Sequence, residues 1–210
     1  MNLAQPLASG LAALGLDLDT AQQQKLLNYV ALIAKWNKVY NLTAVRDPEA
    51  MVTQHLLDSL TVLPHLAGVA RLIDVGSGAG LPGIPLAIAR PEWKVALLDS
   101  NHKKATFLRQ ACLELGLTNA EVICERVELY RSGEAFDAVT SRAFSDLGEF
   151  ARLTAHLLTK DGKLYAMKGV YPHDEMGRLP PHFKAQEVIP LTVPGMDANR
   201  HLVIMGVEEQ

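Results

Sequence analysis

The chain has 210 residues, of which 49% are hydrophobic and 20% charged; these proportions exclude disordered, collagenous and coiled-coil chains and suit one large domain with an appended subdomain. A formal net charge of -3 argues against a surface built throughout to grip nucleic acid, but it leaves room for a local basic patch and so excludes little. The opening residues lack a basic n-region and no stretch reaches the roughly 18 apolar residues that span a bilayer, so a cytoplasmic protein without membrane attachment is predicted.

In chain order, Leu26, Leu27, Tyr29, Val30, Ile33 and Ala34 recur at helical spacing and predict an amphipathic helix, with Asp19 or Thr20 as its N-cap and its end near Trp36. A second helix is predicted after Asp47, where Pro48 suits the first helical position and Met51, Val52, Leu56, Leu57 and Leu60 share a stripe up to Pro64. Residues 1–64 are thus predicted to form a helical subdomain packed on the remainder. The pattern changes at Arg71: residues 72–75 are a short apolar strand running into a glycine-rich turn and then the apolar segment 81–89. Residues 95–98 repeat the logic, ending at Asp99 before a helix over 103–115 that Gly116 stops. Further strands are predicted at 121–124, 136–140, 163–167, 185–189 and 201–205, with a helix over 146–158 between the second and third of these. Seven strands with interleaved helices predict an α/β, doubly wound, mostly parallel sheet. Residues 171–183 hold three prolines and read as a lid or a linker.

Cys112 falls within a predicted helix and Cys124 within a predicted strand. With neither zinc-ligand spacing nor the density of a disulfide scaffold, both read as buried structural thiols of a reducing compartment, and no metal site is predicted.

The chemistry concentrates at the turn Asp74-Val75-Gly76-Ser77-Gly78-Ala79-Gly80-Leu81-Pro82-Gly83. Glycines between a strand and a helix let the backbone approach a ligand closely, and the free N–H groups of the helix start attract polar groups. The glycines stand at alternate positions, which departs from the G-x-G-x-x-G of dinucleotide folds, and no Gly-Lys-Ser/Thr follows to meet a triphosphate. Asp99, closing the next strand, is placed to accept hydrogen bonds from two ribose hydroxyls, so the turn and this acid together suit an adenosyl ligand.

The turn resembles motif I of class I S-adenosylmethionine methyltransferases, whose Rossmann-like fold it implies for residues 65–210. The longer string from Leu72 to Ile88 resembles the bacterial glucose-inhibited-division-B proteins, which methylate 16S rRNA. That likeness runs through Trp36-Asn37, Asn41-Leu42-Thr43-Ala44, His55-Leu56-Leu57-Asp58-Ser59-Leu60, Leu98-Asp99-Ser100, Lys103-Lys104, Ser141-Arg142-Ala143-Phe144, Met167-Lys168-Gly169 and Arg200. It implies methylation of N7 of guanine 527 in the 530 loop of small-subunit RNA, with S-adenosyl-L-methionine as cofactor and 16S rRNA or a precursor small subunit as partner. A monomer is the expectation. Cofactor contacts are implied at Gly76, Gly78, Leu81, Asp99, Val127, Glu128 and Arg142, and the turn itself adds Gly80.

Guanine N7 carries an exposed lone pair, so its methylation requires alignment and desolvation rather than a catalytic base. Arg142 and Lys168 follow the fourth and fifth predicted strands, at the edge where ligands bind in such sheets, and are the candidate catalytic groups. Arg200, before the last strand, joins Lys168 as a candidate contact to RNA phosphate or the base edge, and Phe144 is a candidate to stack on the guanine. His55, Asp58 and Ser59, on one helical turn, are candidate substrate contacts, or else a polar network packing the helices on the sheet. They cannot form a hydrolase triad from one short helical face, and no nucleophile elbow is present. Neither cysteine is placed to attack carbon 5 of a pyrimidine. Lys35, Lys38, Lys103, Lys104 and Arg109 could supply a basic patch or be ordinary solvated charges. Two alternatives remain: a methyltransferase of a small molecule or protein, and a non-catalytic adenosyl-nucleotide-binding module.

Overall fold

The computed structural model describes residues 2–142, 144 and 146–207; Ala143 of the Ser-Arg-Ala-Phe string lies outside the described residues. Helix α1 (Ala4–Ala13) precedes the long helix α2 (Thr20–Tyr40). Asp19 opens α2 through a capping box: its side chain accepts from the Gln22 backbone N–H while the Gln22 side chain accepts from that of Asp19. The helix runs one turn past its predicted end because it is Asn41, in the left-handed region at φ 48°, that stops it. That last turn stacks Tyr40 on Trp36, with ring centroids 5.2 Å apart. The second predicted helix is interrupted. After α3 (Pro48–Met51), capped by Asp47, the chain makes a π-helical turn at Val52–Leu57 before α4 (Asp58–Leu60) and a short 3-10 turn at Leu63–His65.

Strands β1 (Arg71–Val75), β2 (Lys94–Leu98), β3 (Ala120–Ile123), β4 (Phe136–Ser141), β5 (Leu158–Lys168), β6 (Phe183–Pro190) and β7 (His201–Val207) form one sheet in the order β3-β2-β1-β4-β5-β7-β6. The first five run parallel, and β7 is antiparallel to both its neighbours. The fold is therefore doubly wound, and the order reverses between β1 and β4, where such sheets open a crevice at their carboxyl ends. Crossovers are made by α5 (Gly83–Ala89), α6 (His102–Leu115) and α7 (Leu147–Thr154), and α8 (His173–Met176) lies in the proline-bearing segment.

Alternation along each strand splits the core in two. Leu72, Val95 and Leu97 join α1, α2, α5, α6 and the helical residues 51–63 on one face, while Ile73, Val75, Ala96 and Leu98 join Leu147, Phe150 and Ala151 of α7 on the other. The amino-terminal helices thus extend the layer that α5 and α6 begin. Two predicted boundaries are corrected. Residues 155–157 form a 3-10 turn and β5 starts at Leu158, so the helix predicted to reach 158 stops at Thr154. Strand β3 ends at Ile123, which leaves Cys124 just beyond a strand rather than inside one. Both thiols are half-buried rather than buried; burial still pushes the Cys112 thiol up to about 11 and keeps it protonated. Among the described residues, no helix is long and apolar enough to cross a membrane, and no group of three His, Cys, Asp or Glu side chains is arranged to hold a metal ion.

Candidate active site

The glycine turn is held between two carboxylates. Asp74, the penultimate residue of β1, is fully buried, and its Oδ2 accepts from Ser77 Oγ (2.6 Å) and the Gly83 N–H (2.9 Å). Asp99, just past β2, accepts from the Gly78 N–H through Oδ2 and from the Asn101 N–H through Oδ1, each at 2.8 Å. The N–H groups of Gly76 and Ser77 both donate to the Leu98 carbonyl, tying the turn to β2. Gly76 and Gly78 take φ 71° and 61°, which a side chain would strain, so the tight turn requires glycine there.

Burial raises the Asp74 carboxyl from 3.8 to about 6, against the lowering effect of its two hydrogen bonds and of the Arg142 charge. A folded carboxyl that holds its proton to about pH 6, against 3.8 when unfolded, favours the folded state fully below pH 3.8. That contribution is lost as pH rises through 6, and the span is worth ~3 kcal/mol. Urea unfolding from pH 4 to 8 is therefore expected to show the wild type losing stability relative to Asp74→Asn across this window; parallel curves for the two proteins would contradict the assignment.

Two clefts flank the turn. The larger, about 500 Å³, is walled by Val75, Leu98, Val127, Phe144 and Leu153 and edged by Asp99 and Glu128. The narrower, about 190 Å³, runs along Gly76, Ser77, Gly78, Ala79 and Leu81 to Thr43, Lys104 and Arg142. A third cavity, about 420 Å³, opens beside them and is lined by Thr43, Val45, Gln54, His55, Asp58, Arg142, Met167, Lys168, Gly169 and Arg200. Arg142 and Thr43 line both the narrow cleft and this cavity, so the two adjoin.

The cavity is cationic and tightly braced. Asp58 is 2% exposed, and its two oxygens are divided between two guanidiniums: Arg142 Nη1 donates to Oδ2 at 3.0 Å and Arg200 Nε to Oδ1 at 3.1 Å. Arg142 Nη1 also reaches the Gln54 carbonyl, and Arg200 Nη1 the Asn199 carbonyl. Lys168, the last residue of β5, donates to Glu175 Oε2 at 2.7 Å, and the same oxygen accepts from the Leu147 N–H at the start of α7. Segment 171–183 is thus pinned to the cavity wall through α8. His55 projects from the π-helical turn with Nε2 2.9 Å from Thr43 Oγ1. Burial lowers its pKa, so the imidazole adds no charge near neutral pH.

Of the residues singled out in the sequence, Gly76, Gly78, Leu81, Asp99, Val127, Glu128 and Arg142 line the two clefts, and His55, Asp58, Arg142, Lys168 and Arg200 converge on the cavity. Three fall elsewhere. Gly80 lines none of these spaces; a Cβ there would sit 2.5 Å from Ile84 Cδ1, so its glycine serves the packing of α5. Ser59 is fully buried, outside the cavity lining, and its Oγ makes no hydrogen bond among the described residues. Phe144 walls the larger cleft and packs on Phe150 at 5.1 Å, which removes it from the cavity. Cys124 reaches a strand end after all, with Sγ 3.2 Å from His102 Nδ1, yet it lines neither the cavity nor the clefts. Lys104 is the member of the suspected basic patch that reaches a cleft. Sequence reasoning missed Gln54, Thr43 and Glu175 as participants. Gln54 acts through its backbone carbonyl, which no residue type announces, and Glu175 sits in a segment without periodicity.

The sequence pattern of the GidB family, described as rRNA small subunit methyltransferase G, matches residues 22–203. Relatives named ribosomal RNA small subunit methyltransferase G include those of Chromobacterium violaceum, 59% identical over 96% of this chain and 97% of the relative, and of Laribacter hongkongensis, 58% identical over 99% and 100%. Among solved structures, the O-methyltransferase TomG from Streptomyces achromogenes in complex with SAM superposes with a TM-score of 0.61 at 18% identity, covering 92% of each chain. A SAM-dependent methyltransferase from Aquifex aeolicus gives 0.59 at 19%, covering 76% of this chain and 93% of that one. The structural likeness establishes the class I methyltransferase fold. With the family pattern spanning most of the chain and near-full-length relatives above half identity, the protein belongs to the GidB family of rRNA small subunit methyltransferases.

Proposed function

We propose that this protein transfers a methyl group from S-adenosylmethionine to N7 of guanine 527 in the 530 loop of 16S rRNA. The residues of the clefts fit the donor. Each Asp99 oxygen accepts one backbone N–H and retains acceptor capacity for ribose hydroxyls, and Val75, Leu98, Val127 and Phe144 offer apolar walls to an adenine. When bound, S-adenosylmethionine supplies an electrophilic methyl carbon on its sulfonium.

One observation carries the choice of acceptor atom: among the described residues, the cavity next to the turn gathers three cations, Arg142, Lys168 and Arg200, and its one carboxylate, Asp58, is ion-paired to two of them. Asp58 and His55 are 2% and 3% exposed, so neither stands forward in the cavity as a base, and Glu175 is engaged by Lys168 and the Leu147 N–H. A site so built suits an acceptor atom that attacks with a lone pair it already has, as guanine N7 does. The guanidiniums and ammonium suit the O6 edge of guanine and the neighbouring phosphates, which accept hydrogen bonds. Arg142, shared by donor cleft and cavity, is the group that brings the reacting atoms into line and excludes water between them.

The test is to incubate the purified protein with tritiated S-adenosylmethionine and small ribosomal subunits from a strain lacking the enzyme, then cleave the RNA by borohydride and aniline, which is selective for 7-methylguanine. Label and cleavage at one guanine of the 530 loop is the expected result. Donor binding without label in any RNA would overturn the acceptor assignment and favour a small-molecule or protein acceptor, or a non-catalytic binding role.

A further inference from the structure

Methyl transfer demands that donor and acceptor be held in one line, within a few tenths of an ångström. Helix α2 touches the supports of both. Tyr29, Ile33 and Asn37 recur every four residues, so they share one face of the helix, and each is buried. The Tyr29 hydroxyl donates to the carbonyl of Ala79, the residue between Gly78 and Gly80 in the donor turn. Burial raises the phenol well above its ordinary pKa, so the hydroxyl keeps its proton to donate. Two turns further on, Asn37 engages the loop of residues 42–46 with its whole carboxamide: Oδ1 accepts from the Thr43 N–H at 3.0 Å, and Nδ2 donates to the carbonyls of Thr43 (2.9 Å) and Val45 (3.3 Å). Thr43 and Val45 line the cationic cavity, and Thr43 also lines the narrow cleft opposite Gly76 and Gly78. Near its start, α2 sends Gln22 Nε2 to the Ile88 and Ala89 carbonyls, at the far end of α5. The turn and its helix are therefore held at both ends by α2, and the eight helical steps from Tyr29 to Asn37 form a stiff spacer of about 12 Å.

We propose that α2 sets the register of the reaction, with Tyr29 a positioning residue for the donor turn and Asn37 a positioning residue for the rim that receives the acceptor. The inference rests on the reading above that donor and acceptor meet across Arg142. It makes the amino-terminal helices part of the machinery, and it predicts that each residue governs mainly one substrate, Tyr29 the donor and Asn37 the acceptor. A purely structural role predicts no such division.

The test uses the full-length protein in three variants: Tyr29→Phe, Asn37→Asp and Ile33→Val. Tyr29→Phe removes only the hydroxyl and is expected to weaken S-adenosylhomocysteine binding, read by calorimetry, by about three- to tenfold, the size of one lost hydrogen bond. Its KM for small subunits stays within about twofold, the scatter of a change too distant to couple. Asn37→Asp keeps the acceptor of the carboxamide and loses its donors; it is expected to raise the KM for small subunits by about tenfold, for two lost bonds, and, with Thr43 one wall residue of the narrow cleft, to change calorimetric affinity by no more than about twofold. Ile33→Val, on the same face but with no polar contact, is expected to lower the melting temperature and move neither constant. If Tyr29→Phe and Asn37→Asp behave like Ile33→Val, or if each moves both constants together, the inference is overturned. Wild-type protein that labels no RNA would refute the proposed acceptor alone, because calorimetry on Tyr29→Phe needs no acceptor and still decides the donor arm.

Discussion

Asp58→Asn is expected to lower kcat/KM on small ribosomal subunits by about a hundredfold or more, with donor affinity little changed. The carboxylate is almost wholly enclosed, and each of its oxygens holds one guanidinium. Removing the charge from a buried, hydrogen-bonded pair costs about 2–5 kcal/mol, much of it from the partner left uncompensated, and here two partners are left. Asparagine keeps the shape but turns an N–H donor toward one arginine, so that contact becomes repulsive. Arg142 and Arg200 then lose the anion that keeps them side by side in the cavity, and the alignment between acceptor and narrow cleft goes with it. Single-turnover labelling at saturating S-adenosylmethionine reads the loss, and calorimetry with S-adenosylhomocysteine checks the donor side. Unimpaired transfer would mean that the Gln54 and Asn199 carbonyls alone hold the two arginines.

Gly83→Ala is expected to damage both stability and donor binding. A Cβ at this position would stand 2.3 Å from Leu97 Cδ2, 2.8 Å from Asp74 Oδ2 and 3.0 Å from Asp74 Cβ. Leu97 and Asp74 are fully buried, so neither swings out of the way. Helix α5 must retreat from β1 and β2, which stretches the hydrogen bond from the Gly83 N–H to Asp74 and with it the carboxylate that also holds Ser77. Overpacking of this kind costs about 1–3 kcal/mol, which for a chain of this length lowers Tm by roughly 2–4 °C per kcal/mol. Calorimetric affinity for S-adenosylhomocysteine falls in the same variant because the turn is displaced. Gly133→Ala, where nothing lies within 4 Å of the added Cβ, is the matched control and is expected to be neutral. Equal melting temperatures for the two variants would refute the close-approach argument.

The strand-to-turn-to-helix unit around Asp74 was legible because glycine spacing, a buried strand and a following helix are all local signals. Asp99, Arg142, Lys168 and Arg200 were legible for a related reason: each sits at the end of a strand beside the site, and open parallel sheets gather their ligands at the carboxyl edge. Phe144 stands in the larger cleft rather than in the cationic cavity. Its place in the chain, two residues past Arg142, says nothing of which space its ring takes, and there it packs on Phe150 beside the larger cleft. Cys124 shows the sensitivity of such reasoning to a boundary, since one residue separates the interior of a strand from its exposed end. The π-helical turn that carries His55 was also invisible, because a stripe of apolar residues reads the same whether one turn is widened or not.

Whereas the π-helical turn and several boundaries were not readable along the chain, the order of strands and helices, the glycine turn and, through the length of its resemblance, the family were. These depend on hydrophobic period, capping and backbone preference, which act over a few residues and are therefore written along the chain. The tertiary structure alone decided the partnerships. Asp58 meets Arg142 across 84 positions and Arg200 across 142, and Tyr29 meets the glycine turn across 50. The sequence left His55, Asp58 and Ser59 open between substrate contact and internal network, and the fold separates them, with His55 and Asp58 on the cavity wall and Ser59 sealed in the core. No spacing rule reaches so far, because which charges and hydroxyls share a pocket is set by how the helical layer seats on the sheet, and that is a property of packing between elements rather than of any one of them.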